Sequence, residues 1–400
     1  MKKIKFILII FLLFVTFVYS VYITALPINF IVMSKEKIKL RKLFGIEILE
    51  TTRTSKTNID TTNLEVKLFG KILLKEIAVT KIENIKVVPV GKVIGLKMYT
   101  NGVLVVGMSE IEDKNNIMNK PYENTDIQEG DTILKINEKY VEDIEDLKSI
   151  VSKSKGNNLE ITLLRDGILI NTNIKAIETK ANEYKLGLWV KDAATGVGTM
   201  SFYEPQSKAF AVLGHGITDS DTNDLINIDS GELVTTKIIS LKKGTEGMPG
   251  ELKGTIINQE TIGIVNKNTQ FGVFGKLNNL TALNIDTSKS IDVAVRDEIK
   301  EGEATILCAF NENNVAKQYK IEIQKIYKEN DYNNKSMLIK VIDKELLEET
   351  GGIIRGLSGA PIVQNGKFVG AVTNVLVSNP EIGYAIFADL MIKELNRIDY

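Results

Sequence analysis

An uncharged apolar run from Phe6 to Leu26, entered through Lys2, Lys3 and Lys5, constrains this chain more than any other feature. Its span matches the roughly 20 apolar residues a helix needs to cross a hydrocarbon core. Lysines on the leading side favour keeping that side in the cytoplasm, so the rest of the chain is expected beyond the membrane. Two fates fit, an uncleaved anchor or a signal peptide; the length of the run and the lack of a small-x-small pattern at Ile23-Thr24-Ala25 favour the anchor. Outside the cytoplasm disulfides would be permitted, yet the chain has one cysteine, Cys308, and the fold must rest on its apolar core. With a single histidine besides, no zinc site of several His/Cys ligands is available, and no residue pattern calls for a metal or an organic cofactor. Fifty Lys+Arg against 51 Asp+Glu give a net charge of -1, which leaves no global field to draw nucleic acid.

The chain divides into four regions. Residues 1–28 are the membrane anchor or signal segment. Residues 29–89 read as a spacer with some strand, as in the alternation Leu64-Glu65-Val66-Lys67-Leu68. The basic cluster Lys35, Lys37, Lys39, Arg41 and Lys42 in it reads as a solvated face near the membrane. In 90–178, short strands around Gly95-Leu96-Lys97-Met98 and Gly102 to Gly107 precede the turn and strand Gly130-Asp131-Thr132-Ile133-Leu134-Lys135-Ile136-Asn137. A helix capped by Asp143, with Ile144, Leu147, Ile150 and Val151 on one face, and a final strand pair about Asp166-Gly167 complete the region. From 180 to 400 the pattern is Gly-punctuated short strands, the signature of a sandwich or barrel, with helical character at Lys344 to Glu349 and Asp389 to Leu395. The fold class expected is mainly β.

Two motifs carry chemistry. Gly356-Leu357-Ser358-Gly359-Ala360-Pro361 stands between strand-like segments, where a tight turn presents a serine hydroxyl outward and aims the Gly356 and Ser358 N–H groups at a developing oxyanion. A hydroxyl nucleophile needs a base. Leu213-Gly214-His215-Gly216 places the only histidine between glycines at the end of an apolar strand, facing a cleft. Base in the first half and nucleophile in the second agree with a two-barrel serine protease. Cys308, inside Ala304 to Phe310, reads as a buried inert thiol, and Trp189 as core or rim packing.

Region 90–178 resembles a PDZ domain of the protease-associated kind, on the strength of Gly130 to Asn137. The resemblance implies that an extended peptide adds beside the edge Gly95-Leu96-Lys97-Met98. Nearly the whole chain resembles the stage IV sporulation protein B family of serine peptidases, through Gly214-His215-Gly216-Ile217-Thr218-Asp219 to Thr222 and Thr350-Gly351-Gly352-Ile353 through Pro361. That likeness implies a chymotrypsin-like double β-barrel, Ser358 as nucleophile, His215 as base and Asp343 as the acid that orients it. The residues themselves leave the acid open: Asp343 also stands where it would cap the helix from Lys344, and Asp219, Asp221 and Asp229 lie nearer His215 in sequence. Where members of the family often carry a histidine after the serine, this chain has Asn374. The resemblance further implies an enzyme in the space between forespore and mother-cell membranes that cleaves itself near the N-terminus. It would also cut a regulatory membrane protein, so that an intramembrane protease can process a late mother-cell sigma factor. The alternative is a PDZ adaptor whose peptidase half is catalytically silent.

Overall fold

The computed structural model describes residues 2–26, 29–33, 43–52, 61–82, 85–165, 167–218, 224–328 and 334–395. The apolar run forms helix α1 (Lys2–Ala25), and Ile4–Ala25 is long and apolar enough to cross a membrane. The region that reads as a spacer is more ordered than expected. Strands β1 (Asn29–Met33), β2 (Ile46–Thr52), β3 (Thr61–Leu68) and β4 (Ile72–Ile82) form one sheet in the order β1-β4-β3-β2. Leu64, Val66, Ile77 and Val79 bury one face, with Tyr19, Tyr22 and Ile23 of α1 packed against them. Period-two alternation supplies that face. The basic cluster from Lys35 to Lys42 lies outside the described residues.

Two long strands organise the remainder of the chain: β5 (Val93–Met108) and β9 (Leu188–Glu204) pair antiparallel along most of their length, from Val93 opposite Thr199 to Met108 opposite Leu188. Their outer halves carry a small α+β unit between them. There the second half of β5 pairs with β6 (Thr132–Ile136), which continues through β7 (Asn158–Arg165) to β8 (Ile168–Lys175). Helix α2 (Ile144–Ser154) covers this unit, its N-terminus capped by the Asp143 carboxylate, which accepts the Asp146 N–H at 2.8 Å. Buried Asp131 ties the turn before β6 to Arg165 through contacts of 2.6 and 2.8 Å.

The inner halves of β5 and β9 belong to a barrel with β10 (Ala209–Val212), β11 (Ile228–Lys242), β12 (Glu251–Thr269) and β13 (Gly272–Leu277). The order β5-β11-β12-β13-β10-β9 closes because β5 pairs with β9. A second closed barrel comprises β14 (Gly302–Cys308), β15 (Lys317–Ile326), β16 (Met337–Val341), β19 (Ile382–Phe387), β18 (Lys367–Val375) and β17 (Pro361–Gln364). Helix α3 (Lys344–Thr350) comes after β16, and α4 (Ala388–Leu395) after β19. The chymotrypsin-like double barrel expected from the sequence is therefore present. The barrels share one apolar core, joined by Phe202 edge-on to Phe368 at 5.2 Å between centroids. Cys308 is buried in it, where loss of hydration pushes the thiol pKa up and keeps it protonated.

Candidate active site

His215 reaches the cleft between the barrels by a strained turn. Beyond β10, Leu213 has φ 75° and the Gly214 N–H donates to the Val212 carbonyl at 3.0 Å, a γ-turn of the costly hand. Gly214 comes next with φ 71°. Two left-handed residues in succession swing the chain off the strand, and a side chain at Gly214 would crowd Ile386 and Thr373 of the opposite barrel. His215 is half-buried, and its Nδ1 lies 2.8 Å from the Gly216 carbonyl. A carbonyl only accepts, so Nδ1 carries the proton and Nε2 is left as an acceptor.

Ser358 enters from the turn before β17, and Gly359 beside it has φ 97°. A Cβ on Gly359 would lie 2.0 Å from the Thr199 carbonyl oxygen, so only glycine lets the barrels close here. Thr199 of β9 fastens this turn: its hydroxyl donates to the Gly356 carbonyl at 2.7 Å and its N–H to the Ser358 carbonyl at 3.1 Å. With both carbonyls committed to Thr199, the Gly356 and Ser358 N–H groups have no acceptor among the described residues. The Ser358 hydroxyl donates to the Thr373 carbonyl at 2.7 Å. Ser358, His215, Gly356, Thr373 and exposed Asn374 line one cleft of about 340 Å³, with Val197, Leu213 and Val375 as apolar walls. Rotation of Ser358 about χ1 would free its hydroxyl from Thr373 for the base.

The Asp343 carboxylate, expected to orient His215, is committed to other partners in this arrangement. It caps α3, accepting the Leu346 N–H at 3.2 Å, and also accepts the Lys320 N–H at 3.1 Å. The partner of His215 Nδ1 is instead a peptide carbonyl. Asp229 is exposed at the start of β11, and Asp219 and Asp221 lie outside the described residues. Asparagine caps a helix about as well as aspartate, and replacing either by alanine costs about 1 kcal/mol. Asp343→Asn should therefore keep near-parental kcat/KM and Asp343→Ala should lose about 1 kcal/mol of stability in urea unfolding. A true orienting acid would drop about 10⁴-fold in kcat as asparagine, and that loss would reverse the assignment.

Burial lowers the pKa of His215 below its ordinary value of 6.5, partly offset by the Gly216 carbonyl, which favours the imidazolium. A lowered pKa keeps the imidazole neutral further into acid. The acid limb of kcat/KM is accordingly expected below pH 6.5, with a plateau through neutrality; a limb at or above pH 7 would contradict the burial.

The edge expected to take a peptide is closed. Gly95, Leu96, Lys97 and Met98 lie in the inner half of β5, paired on one side with Ala194 through Val197 and on the other with Gly231 through Val234. Both rows of backbone groups are used in the barrel wall. The start of β9, Leu188 to Val190, pairs with β5 on one side and has no second strand beside it among the described residues. It faces Ile144, Leu147 and Val151 of α2 across a groove of about 910 Å³, and Trp189, 63 % exposed, stands at its rim. Neither Thr199 nor the Gly216 carbonyl was legible beforehand, since a threonine in a strand and a peptide carbonyl carry no motif. Gly187-Leu188-Trp189 was visible as a strand, but its free edge was not.

A family model described as SpoIVB peptidase S55 matches residues 182–392, and a PDZ domain model matches 94–176. No curated protein matches the sequence. Among solved structures, one titled "Crystal structure of Rv3671c protease, inactive form" aligns over 51% of this chain and 85% of its own, at 12% identity and a TM-score of 0.28.

Proposed function

The chain belongs to the SpoIVB peptidase S55 family and is a serine peptidase, and from that premise we propose that it is a membrane-anchored endopeptidase of sporulation signalling. The observation that carries the reading is the meeting of Ser358 and His215 in one interbarrel cleft, with Nδ1 held by the Gly216 carbonyl. Ser358 attacks a peptide carbonyl while His215 Nε2 takes its proton and returns it to the leaving amine. The Gly356 and Ser358 N–H groups, which have no acceptor among the described residues, receive the oxyanion. The Gly216 carbonyl does the orienting that a carboxylate does in the usual triad, and with less charge to stabilise the imidazolium.

Helix α1 anchors the enzyme with its peptidase outside the cytoplasm, in the space between forespore and mother-cell membranes. One substrate is its own N-terminal segment, cut between α1 and the inserted PDZ unit. Another is a regulatory membrane protein whose cleavage lets an intramembrane protease process a late mother-cell sigma factor. An extended peptide adds beside Leu188 to Val190 rather than beside Gly95–Met98. Strand β9 carries both that edge and Thr199, so the groove and the nucleophile turn stand on one continuous strand.

Self-release is tested by following the intact mass of the full chain in membranes, beside Ser358→Ala. The parent is expected to shorten within residues 29–89 while the variant keeps its length. Equal trimming of both would assign the cut to another protease, and no trimming of either would remove self-cleavage from the proposal.

A further inference from the structure

Four large apolar side chains stand exposed at one end of the sheet beside α1: Phe44 at 85%, Phe69 at 60%, Ile72 at 58% and Leu73 at 48%. Phe44, Phe69 and Ile72 gather at this end, while Leu73, next to Ile72 in the strand, faces the other side of the sheet. The Phe69 N–H donates to the Gly45 carbonyl at 2.7 Å, which brings the turns before β2 and after β3 together. The rings of Phe44 and Phe69 meet edge-on at 6.4 Å, and Ile72 and Leu73 open β4 immediately after the second turn.

Contacts with α1 set the level of this patch. Lys75 Nζ donates to the carbonyls of Ile23, at 3.1 Å, and Leu26, so it lies level with the C-terminal end of the helix, whose last carbonyls need donors. The Tyr19 hydroxyl donates to the Phe44 carbonyl, so the patch lies level with Tyr19. Two independent paths measure the interval. Along β4, from Lys75 back to Ile72, it is about 10 Å at roughly 3.3 Å per residue. Along α1, from Ile23 or Leu26 back to Tyr19, it is about 6–10 Å at roughly 1.5 Å per residue. The patch therefore sits well short of the helix end, beside the stretch Ile4–Ala25 that is apolar enough to lie in hydrocarbon.

We propose that this end of the sheet is a membrane-inserted foot, seated at the headgroup–acyl boundary of the leaflet through which α1 emerges. The inference rests on the anchor reading of α1. An apolar surface reaches about 5–10 Å into that boundary when it lies in the interface, which matches the interval above. Aromatic side chains favour this depth, and Tyr19, Phe44 and Phe69 supply them together. A cut before Leu43 would leave the foot attached to the enzyme, so severing α1 there would weaken membrane attachment without abolishing it.

The test uses the full chain with Trp189→Phe, which removes its only tryptophan, in phosphatidylcholine vesicles with or without dibrominated acyl chains. Single tryptophans are then placed by Leu13→Trp in mid-helix, Phe44→Trp in the foot, and Tyr140→Trp on the inserted unit, where Tyr140 is 67% exposed. Quenching by bromolipid is expected for Leu13→Trp and Phe44→Trp, the latter with blue-shifted emission, and none for Tyr140→Trp. Ile72→Trp repeats the measurement should Phe44→Trp disturb the turn. Quenching at Leu13→Trp with water-exposed, unquenched emission at both Phe44→Trp and Ile72→Trp would overturn the foot while leaving the anchor intact. Absence of quenching at Leu13→Trp as well would overturn the anchor, and the foot with it.

Discussion

Ser358→Ala is expected to lose about 10⁴-fold or more in kcat/KM, His215→Ala to lose a similar amount, and the double variant to be no slower than either. The reason is that the two side chains act as one unit. Without Nε2 the Ser358 hydroxyl stays a weak nucleophile, donating to the Thr373 carbonyl as it does at rest. Without the hydroxyl, Nε2 has no proton to take. Residual rate would come from the cleft and from the Gly356 and Ser358 N–H groups, which neither substitution touches. Steady-state cleavage of an internally quenched peptide, with far-UV circular dichroism to establish folding, checks the pair. Retention of activity in His215→Ala would assign the proton to another base, a lysine in the first instance, and remove the central assignment; multiplicative losses in the double variant would break the link between the two residues.

The largest stability effect is expected at Asp389. Its carboxylate is fully buried at the start of α4, and Arg296, 9% exposed, meets it through Nε at 3.0 Å and Nη2 at 3.1 Å while the Arg296 backbone N–H adds a third bond at 3.2 Å. The guanidinium also donates to the Lys328 carbonyl at 2.8 Å and packs on the Phe387 ring at 5.1 Å. Truncating one member of a buried pair leaves the other charge desolvated without compensation, a loss of about 3–5 kcal/mol. Asp389→Ala should therefore lower the urea midpoint of unfolding by a corresponding amount. Pairing Asp389→Leu with Arg296→Met should recover most of it, since no buried charge remains. A loss under about 1 kcal/mol in Asp389→Ala would mean that water reaches Arg296 once the carboxylate is gone.

Local chemistry was legible without coordinates. Asp143 and Asp343 both stand where a carboxylate meets the free N–H groups of a helix start, and both act as caps; for Asp343 that reading stood beside a catalytic one, and the geometry separates them. The helix face Leu147 and Val151 is buried as its spacing requires. The described part of residues 29–89 carries more strand than its reading as a spacer allowed, because short Lys/Thr-rich alternations look alike in a spacer and in a small sheet.

The amino-acid sequence alone marked the membrane-length helix, the mainly β class, and two separate motifs, the only histidine between glycines and a serine held between glycines; the double barrel followed from the family resemblance. Each depends on residue type and near neighbours: hydropathy over a short window, left-handed backbone at glycine, the nucleophilicity of a hydroxyl beside a base. Tertiary structure alone decided which strand lies walled into a barrel and which group meets His215 Nδ1. Strand propensity cannot distinguish the half of β5 that is walled into a barrel from the start of β9 that borders a groove, because one ladder of two long strands runs through both. Nor can composition reveal that the Gly216 carbonyl lies under His215 Nδ1, or that Thr199 draws back the carbonyls of Gly356 and Ser358, since those are contacts set by how the strands turn and pack.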